Sequence, residues 1–406
     1  MKRILMWLIV VFMAIAGAVV ARAEGVPEVP PSEDKPIAGY KGGFFIQSPD
    51  ENFKFVINGR LHGRWYFQKI TDQESDQTFL IRRARMDFTS IVQQNFEANI
   101  AFNYGTRSNK FQNLQLLNAS AAYTFDPAFK LTFGTVGMPL SIVNETSSNG
   151  WLMPEPPLVL TQEDGITAIT VTRSSFGNPD GIGLWAEGDL WKFFYRFAIV
   201  NGASDTGVES NYDLNPNKRV SVGARFGFNI LDAVPGIEMD LPYSNKPKLT
   251  VSMGANYQGK RKQADDATTG YIGPTINRIL TASAGGAFRW RGLSLNSEAF
   301  GRKTTLGEPG TTTWFDTTMD DFGYYLNSGY FIIPNKFEVA AVGGQIFREG
   351  PDNDSYQFGG GLNWYVFGSN KLKLQTAYTL TVDYDDIAGT KNSKAHYATI
   401  NLISNF

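Results

Sequence analysis

The chain has 406 residues, of which 14% are aromatic and 19% are charged, and it contains 41 glycines, two histidines and no cysteine. The lack of cysteine excludes disulfides, thiolate zinc sites and iron–sulfur clusters, and two histidines leave little material for imidazole chemistry, so we expect no metal, no cofactor and no enzymatic activity. The formal net charge of −2 argues against a nucleic-acid partner, because such binding depends on basic residues that neutralise phosphates.

Residues 1–23 are predicted to be a cleaved export signal. Lys2 and Arg3 precede an apolar run, which ends in small residues suited to cleavage after residue 23. Residues 24–40 are polar and rich in proline, which predicts a flexible segment. Because residues 1–23 hold three basic and no acidic side chains, the exported chain has 34 basic and 39 acidic residues and a net charge of −5.

Between residues 41 and 406, apolar side chains recur at every second position over several stretches. Clear examples are residues 58–67, 96–104, 220–228, 249–257 and 372–380. A period of two predicts β-strands with one apolar and one polar face. Such strands build either a secreted β-sandwich that binds carbohydrate or a membrane β-barrel. No apolar run after residue 40 reaches the roughly 18 residues that a membrane helix requires.

Strand length, aromatic placement and the last residue favour the barrel. The alternating runs last about 9–11 residues, which suits tilted membrane strands, whereas strands of soluble proteins average about 5–6. Aromatic residues gather at strand ends, as at 65–67 and 193–195, and the final Phe406 resembles the assembly signal of bacterial outer-membrane barrels. At about 22–24 residues for a strand and its connection, residues 41–406 predict an all-β, antiparallel transmembrane barrel of sixteen strands. A barrel of that width encloses an aqueous channel rather than a packed core.

Several separated stretches resemble the phosphate-selective porin O/P family. The most specific is 79–86, which contains two adjacent arginines, and residues 134–165 resemble the strand and inward-folded third loop of that family; the others are 43–48, 53–61, 329–334, 337–338, 361–365 and 371–375. The resemblance covers nearly the whole exported chain. It implies a homotrimeric channel in the outer membrane of a Gram-negative bacterium, surrounded by lipid and passing small anionic or hydrophilic solutes, including phosphate.

Selectivity in such a channel arises from charged side chains on the lumen wall, and arginine suits anions because it stays ionised and offers five donors. Alternation assigns Arg82 to the outer face. It assigns seven arginines to the inner face and to an anion pathway: Arg60, Arg64, Arg83, Arg85, Arg196, Arg225 and Arg289. Because general porins also pair lumen arginines with acids, a specific oxyanion site and a general porin without phosphate selectivity both remain open.

The predicted constriction loop carries acids rather than bases. Residues 137–165 contain no Lys or Arg, and the loop residues that we expect at the narrowing are Glu145, Trp151, Glu155, Glu163 and Asp164. Carboxylates opposite the inner-face arginines would produce a transverse electric field, so any oxyanion contact must come from the strand arginines. His62 is predicted to be a wall residue rather than part of an enzyme site.

Overall fold

The computed structural model describes residues 37–104, 106–107, 110–111, 114–160, 176, 181–201, 220–259, 261–262, 275–308, 318–349, 354–384 and 393–406. The predicted export signal, 1–23, and most of the predicted flexible segment, 24–40, lie outside these ranges. Sixteen antiparallel strands form a closed barrel, as the sequence predicted: β3 (Phe53–Ile70), β4 (Asp76–Val92), β5 (Phe96–Tyr104), β8 (Gln115–Asp126), β9 (Phe129–Val136), β10 (Gly181–Leu190), β11 (Phe193–Asn201), β12 (Val220–Asn229), β13 (Lys248–Gln258), β15 (Thr275–Trp290), β16 (Leu293–Glu308), β17 (Thr318–Ile333), β18 (Phe337–Arg348), β19 (Ser355–Tyr365), β20 (Leu372–Tyr384) and β21 (Ser393–Asn405).

The barrel closes where the last strand meets the first. β21 pairs along β3, and Gly59 and Phe406 exchange backbone hydrogen bonds of 2.7 and 2.9 Å at the end of the seam. The described barrel strands form one sheet that returns to its own first strand rather than two sheets packed face to face, so the β-sandwich alternative is wrong. Smaller elements are β1 (Ala38–Tyr40) and β2 (Phe44–Gln47) beside β3, the pair β6 (Thr106–Arg107) and β7 (Lys110–Phe111), β14 (Arg261–Lys262), a helical turn at Ile142–Glu145 and a 3-10 turn at Ser148–Gly150.

The strands are apolar outside and polar inside, the reverse of a soluble protein. In β12, Phe226 and Phe228 are exposed while Arg225 is buried, and in β13 the exposed Met253 alternates with the buried Ser252. This arrangement gives lipid an apolar surface and directs polar side chains to the interior. Among the described residues, no helix is long and apolar enough to cross a bilayer.

Strand length differs from the prediction of about 9–11 residues. The strands range from 8 residues in β9 to 18 in β3, and β15, β16 and β17 have 16 each. A strand crosses the hydrocarbon layer with about 9–11 residues, so the long strands continue beyond it. Alternation over a short window predicted the membrane-crossing part and missed these extensions.

Apolar side chains fill the interior beside β16 to β19, which differs from the prediction of a lumen without a packed core. Leu158, Val159 and Phe176 pack in one apolar cluster with Phe300 and Tyr325 of the wall. A second apolar cluster lies between the loop that follows β9, the connection between β12 and β13, and the inner faces of β17, β18 and β19. Among the described residues, these clusters leave the side of the barrel away from β16 to β19 without such packing, and that side is called the open side below.

Candidate functional site

The loop that follows β9 crosses the inside of the barrel, as the sequence predicted. Its described residues, 137–160 and 176, are called the inward loop below. Arg64 of β3 donates to Glu155 at 2.5 Å, Glu298 of β16 accepts from the Ile142 amide at 3.0 Å, and Gln357 of β19 accepts from the Leu158 amide at 2.8 Å. A segment that bonds to strands so far apart around the ring lies within it.

Glu155 is held by three arginines of the first two barrel strands. Its carboxylate lies 2.5 Å from Arg64, 3.0 Å from Arg82 and 3.9 Å from Arg83. Burial alone would raise the pKa of Glu155, but the positive charges of Arg82, Arg64 and Arg83 outweigh burial and hold that pKa well below its usual range. The carboxylate is therefore ionised at neutral pH and neutralises only part of the surrounding charge.

Arg82 faces inward, so its predicted outward assignment is wrong. The pairing of β3 with β4 passes from His62 opposite Arg83 to Gly63 opposite Ile81, which leaves Arg82 as the extra residue of a β-bulge. A bulge shifts the alternation by one position, so Arg82 and Arg83 both point to the interior while Phe79 and Met86 are exposed on the outside.

Two further arginines extend the same surface. Arg60 donates to Asn405 and to Ser148 of the inward loop, both at 3.2 Å, and Arg85 donates to Asn103 at 3.3 Å. We call Arg60, Arg64, Arg82, Arg83 and Arg85 the arginine wall. Asp87 follows on the same face of β4, so five guanidinium groups lie near two described carboxylates, those of Glu155 and Asp87. His62 is buried within this wall.

The other end of the inward loop meets a second group of charges. Glu145 pairs with both Arg196 of β11 and Arg225 of β12, the latter at 2.6 Å, while Arg196 also lies 3.3 Å from Glu187. The guanidinium groups of both arginines lie over the ring of Phe194. These four residues, Glu145, Glu187, Arg196 and Arg225, are called the Glu145 group; their two positive and two negative charges balance.

Trp151 and Arg289 serve as packing and anchoring groups. Trp151 donates its indole N–H to the Thr146 carbonyl at 3.0 Å and lies beneath the guanidinium of Arg83. Arg289 is 0% exposed and donates to three backbone carbonyls and to Asn296. It cannot contact a passing solute, so its predicted role in an anion pathway is wrong. Glu163 and Asp164 lie outside the described residues.

Lys373 of β20 was not predicted, although the alternation of residues 372–380 contained the signal. Leu372 and Leu374 take one face of that strand, which leaves Lys373 on the inner face. Its ammonium donates to the carbonyls of Asn149 and Trp151 at 3.2 and 3.1 Å. Lys373 therefore fixes the middle of the inward loop.

The inner faces of β5, β8 and β9 are lined with small and polar groups. Asn99 donates to Thr89 at 2.9 Å, Asn118 donates to Asn99, and Lys130 lies 3.8 Å from Glu97. This surface contrasts with the apolar clusters on the other side. The arginine wall, the Glu145 group and this polar surface together border the open side of the barrel.

A family model for phosphate-selective porin O and P matches residues 55–406. Solved structures share the fold: OmpT of Vibrio cholerae in a trimer form (10% identity, 87% of this chain and 99% of that chain, TM-score 0.56), the outer-membrane channel DcaP of Acinetobacter baumannii (11%, 89% and 99%, 0.53) and OprB of Pseudomonas putida (12%, 87% and 94%, 0.50). At such low identity these likenesses concern the fold alone. No curated protein sequence matches significantly.

Proposed function

The chain belongs to the phosphate-selective porin O and P family and is an outer-membrane channel protein rather than an enzyme, and we propose that its channel favours small anions over cations. The observation that carries this proposal is the arginine wall, where five guanidinium groups lie near two described carboxylates. Arg82 and Glu155 each keep 34% of their side chains exposed, so this charge meets the water of the open side. Rings of positive charge favour anions in such pores.

For phosphate we propose weak contact rather than a tight site. Each of the three side-chain nitrogens of Arg64 already donates one hydrogen bond, to Glu155, Asn401 and the Pro154 carbonyl, at 2.5, 2.7 and 3.2 Å. The sequence 137–165 has no Lys or Arg to add further donors. The second candidate, a general porin without phosphate selectivity, is favoured by the Glu145 group, where loop carboxylate and wall arginines balance each other.

A reversal potential in a planar bilayer with a KCl gradient tests the anion preference. We expect chloride to permeate better than potassium, and a clear preference for potassium would refute the proposal. Added phosphate should reduce the chloride current partially at millimolar concentration. Complete absence of this block would favour the general porin.

We also propose export through cleavage of residues 1–23 and assembly as a homotrimer, in keeping with the trimer form of OmpT. Amino-terminal sequencing of protein from outer membranes should begin at Glu24. Chemical cross-linking in detergent should give trimers that heat converts to monomers; a species that stays monomeric at every protein concentration would contradict the homotrimer.

A further inference from the structure

The connection between β12 and β13, residues 230–247, is longer than any hairpin requires. The other connections at the same barrel end are 93–95, 127–128, 191–192, 291–292, 334–336 and 366–371. Two residues suffice to join antiparallel strands, so almost all of residues 230–247 serves another purpose. We call these residues the return segment.

The return segment folds into the barrel and is fastened to the wall. The Ile237 carbonyl accepts from Arg289 at 2.7 Å, and the Glu238 carbonyl accepts from Asn296 at 3.0 Å. Asp240 is 0% exposed and accepts from the Gly292 amide at 2.8 Å. These bonds satisfy polar groups that are costly to bury alone, which indicates a built structural position rather than a loop lying in water.

Apolar packing fixes the other face of the return segment. Met239 is fully buried in a cluster with Leu152 and Met153 of the inward loop and with Phe331 and Tyr365 of the wall. The return segment therefore lies between the wall and the inward loop, and it fills space that would otherwise be open to water.

Glu238 joins the return segment to the inward loop. Its backbone N–H donates to the Gly150 carbonyl at 2.8 Å, and its carboxylate accepts from the Leu152 amide at 2.7 Å. The second carboxylate oxygen accepts from Asn327 of β17 at 3.3 Å. A single residue thus links the loop that narrows the channel to the wall behind it.

We propose that the return segment is a second constriction element of the channel. It enters the barrel from one end, whereas the inward loop enters from the other. In this arrangement Glu238 is the positioning residue that holds the inward loop against the apolar clusters beside β16 to β19. Asn363 and Gln375 complete this attachment by donating to the Leu152 carbonyl at 3.0 and 2.8 Å. Because the inward loop is held from both sides, the size limit for solutes depends on residues that do not touch the solute. The inference rests on the channel function but not on the anion preference.

A hairpin variant tests the constriction directly. Residues 232–247 are replaced by an Asn-Gly turn, because the register that pairs Asn229 with Thr250 also places Leu231 opposite Lys248, the two positions that a two-residue turn joins. Single-channel conductance should rise about twofold and larger polyethylene glycols should enter the pore, because pore diameter sets passage. Heat-modifiable gel mobility verifies that the barrel has folded. A folded variant with the conductance and polymer limit of the unmodified channel would overturn the proposal.

Point variants keep the test decisive if the hairpin variant does not fold. Glu238→Ala removes both carboxylate bonds, so the open channel should fluctuate among several conductance levels, with a mean about 1.5-fold higher because the narrowest part widens. Asp232→Ala is the matched control, since Asp232 is an exposed acid of the same return segment and loses its carboxylate in the same way. Steady, unchanged currents in folded Glu238→Ala protein would refute the positioning role.

The absence of cysteine from the sequence allows a clean disulfide test of the juxtaposition. A Cβ added at Gly150 lies 3.3 Å from Ile237 Cβ, close to the range of about 3.5–4.5 Å found in disulfides. Gly150→Cys combined with Ile237→Cys should form a bond that alters the mobility of the unfolded chain and leaves conductance steady. Failure to form it in the folded protein would contradict the contact. Reversal potentials measured on the same channels report the anion preference separately, so either proposal can fail alone.

Discussion

Replacing Glu155 with glutamine removes the carboxylate that the inward loop presents to the arginine wall. The carboxylate lies within 4 Å of Arg64, Arg82 and Arg83, and its pKa is held below its usual range, so the substitution removes a full negative charge at neutral pH. Glutamine keeps an oxygen that can accept from Arg64. The fold of the inward loop should therefore persist while the positive excess of the wall grows by one charge.

The size of the effect follows from Coulomb's law. For an ion that passes about 8 Å from the site, one unit charge contributes about 0.5 kcal/mol in water, and about half of this remains at 0.1 M salt. Since the change favours chloride and disfavours potassium, the two contributions add to about 0.5–1 kcal/mol. The chloride-to-potassium permeability ratio should rise about two- to fivefold, because about 1.4 kcal/mol corresponds to a factor of ten.

The assay is the reversal potential of reconstituted channels in a KCl gradient, with unmodified protein measured in parallel. Glu74→Gln is the matched control, because Glu74 is an exposed acid in the turn between β3 and β4 and undergoes the same chemical change. Its permeability ratio should stay near that of the unmodified channel. An unchanged ratio in folded Glu155→Gln channels would mean that ions do not pass the arginine wall, which would refute the proposed pathway.

Arg82→Gln should lower the chloride-to-potassium ratio by about two- to fivefold by the same Coulomb argument, whereas an outward-facing Arg82 would leave the reversal potential unchanged. The pKa of Glu155 is depressed, so its carboxylate stays charged as the pH falls and is neutralised only below the usual pKa of a glutamate. The chloride-to-potassium ratio should therefore not rise between pH 7 and about 5. A rise that follows a titration in that window would contradict the ion pairing of Glu155. Gly183→Val should lower the free energy of unfolding by about 1–3 kcal/mol, since an added Cβ would lie 2.0 Å from the backbone oxygen of Ile199 in the paired strand β11. Denaturant unfolding in detergent should show Gly63→Val to be better tolerated, because an added Cβ there has no atom within 4 Å.

The inward or outward direction of most barrel side chains could be predicted because the period of two persists along each strand. In β12 and β13, residue parity alone identified the buried Arg225 and the exposed Met253. The same alternation gave the wrong face for Arg82, since one bulged residue exchanges the inward and outward positions of the residues beyond it in the strand. No local pattern distinguishes a residue that begins a bulge from one that continues a strand, so the most specific family motif of the sequence was also the one whose orientation was misassigned.

The predicted role of Arg289 was wrong for a different reason. Its face was predicted correctly, but what covers that face depends on the return segment, whose Pro235, Gly236 and Pro242 are typical of a loop and give no strand or helix period. Whether such a loop extends into water or folds inward is decided by distant partners such as Asn296 and Asn327. Those partners become neighbours only after the barrel has closed.

The filled side of the barrel gives the arginine wall more influence than its number of charges suggests. In a wide, open lumen, an ion could travel more than one Debye length, about 10 Å at 0.1 M salt, from any wall arginine and would experience little of its charge. The inward loop and the return segment remove that route, because their apolar clusters occupy the space beside β16 to β19. On the proposed pathway, ions then pass near the arginine wall, where five guanidinium groups lie near two described carboxylates. The proposed anion preference would therefore depend on packing as well as on charge, and Glu238→Ala should lower the chloride-to-potassium permeability ratio even though no arginine of the arginine wall is changed.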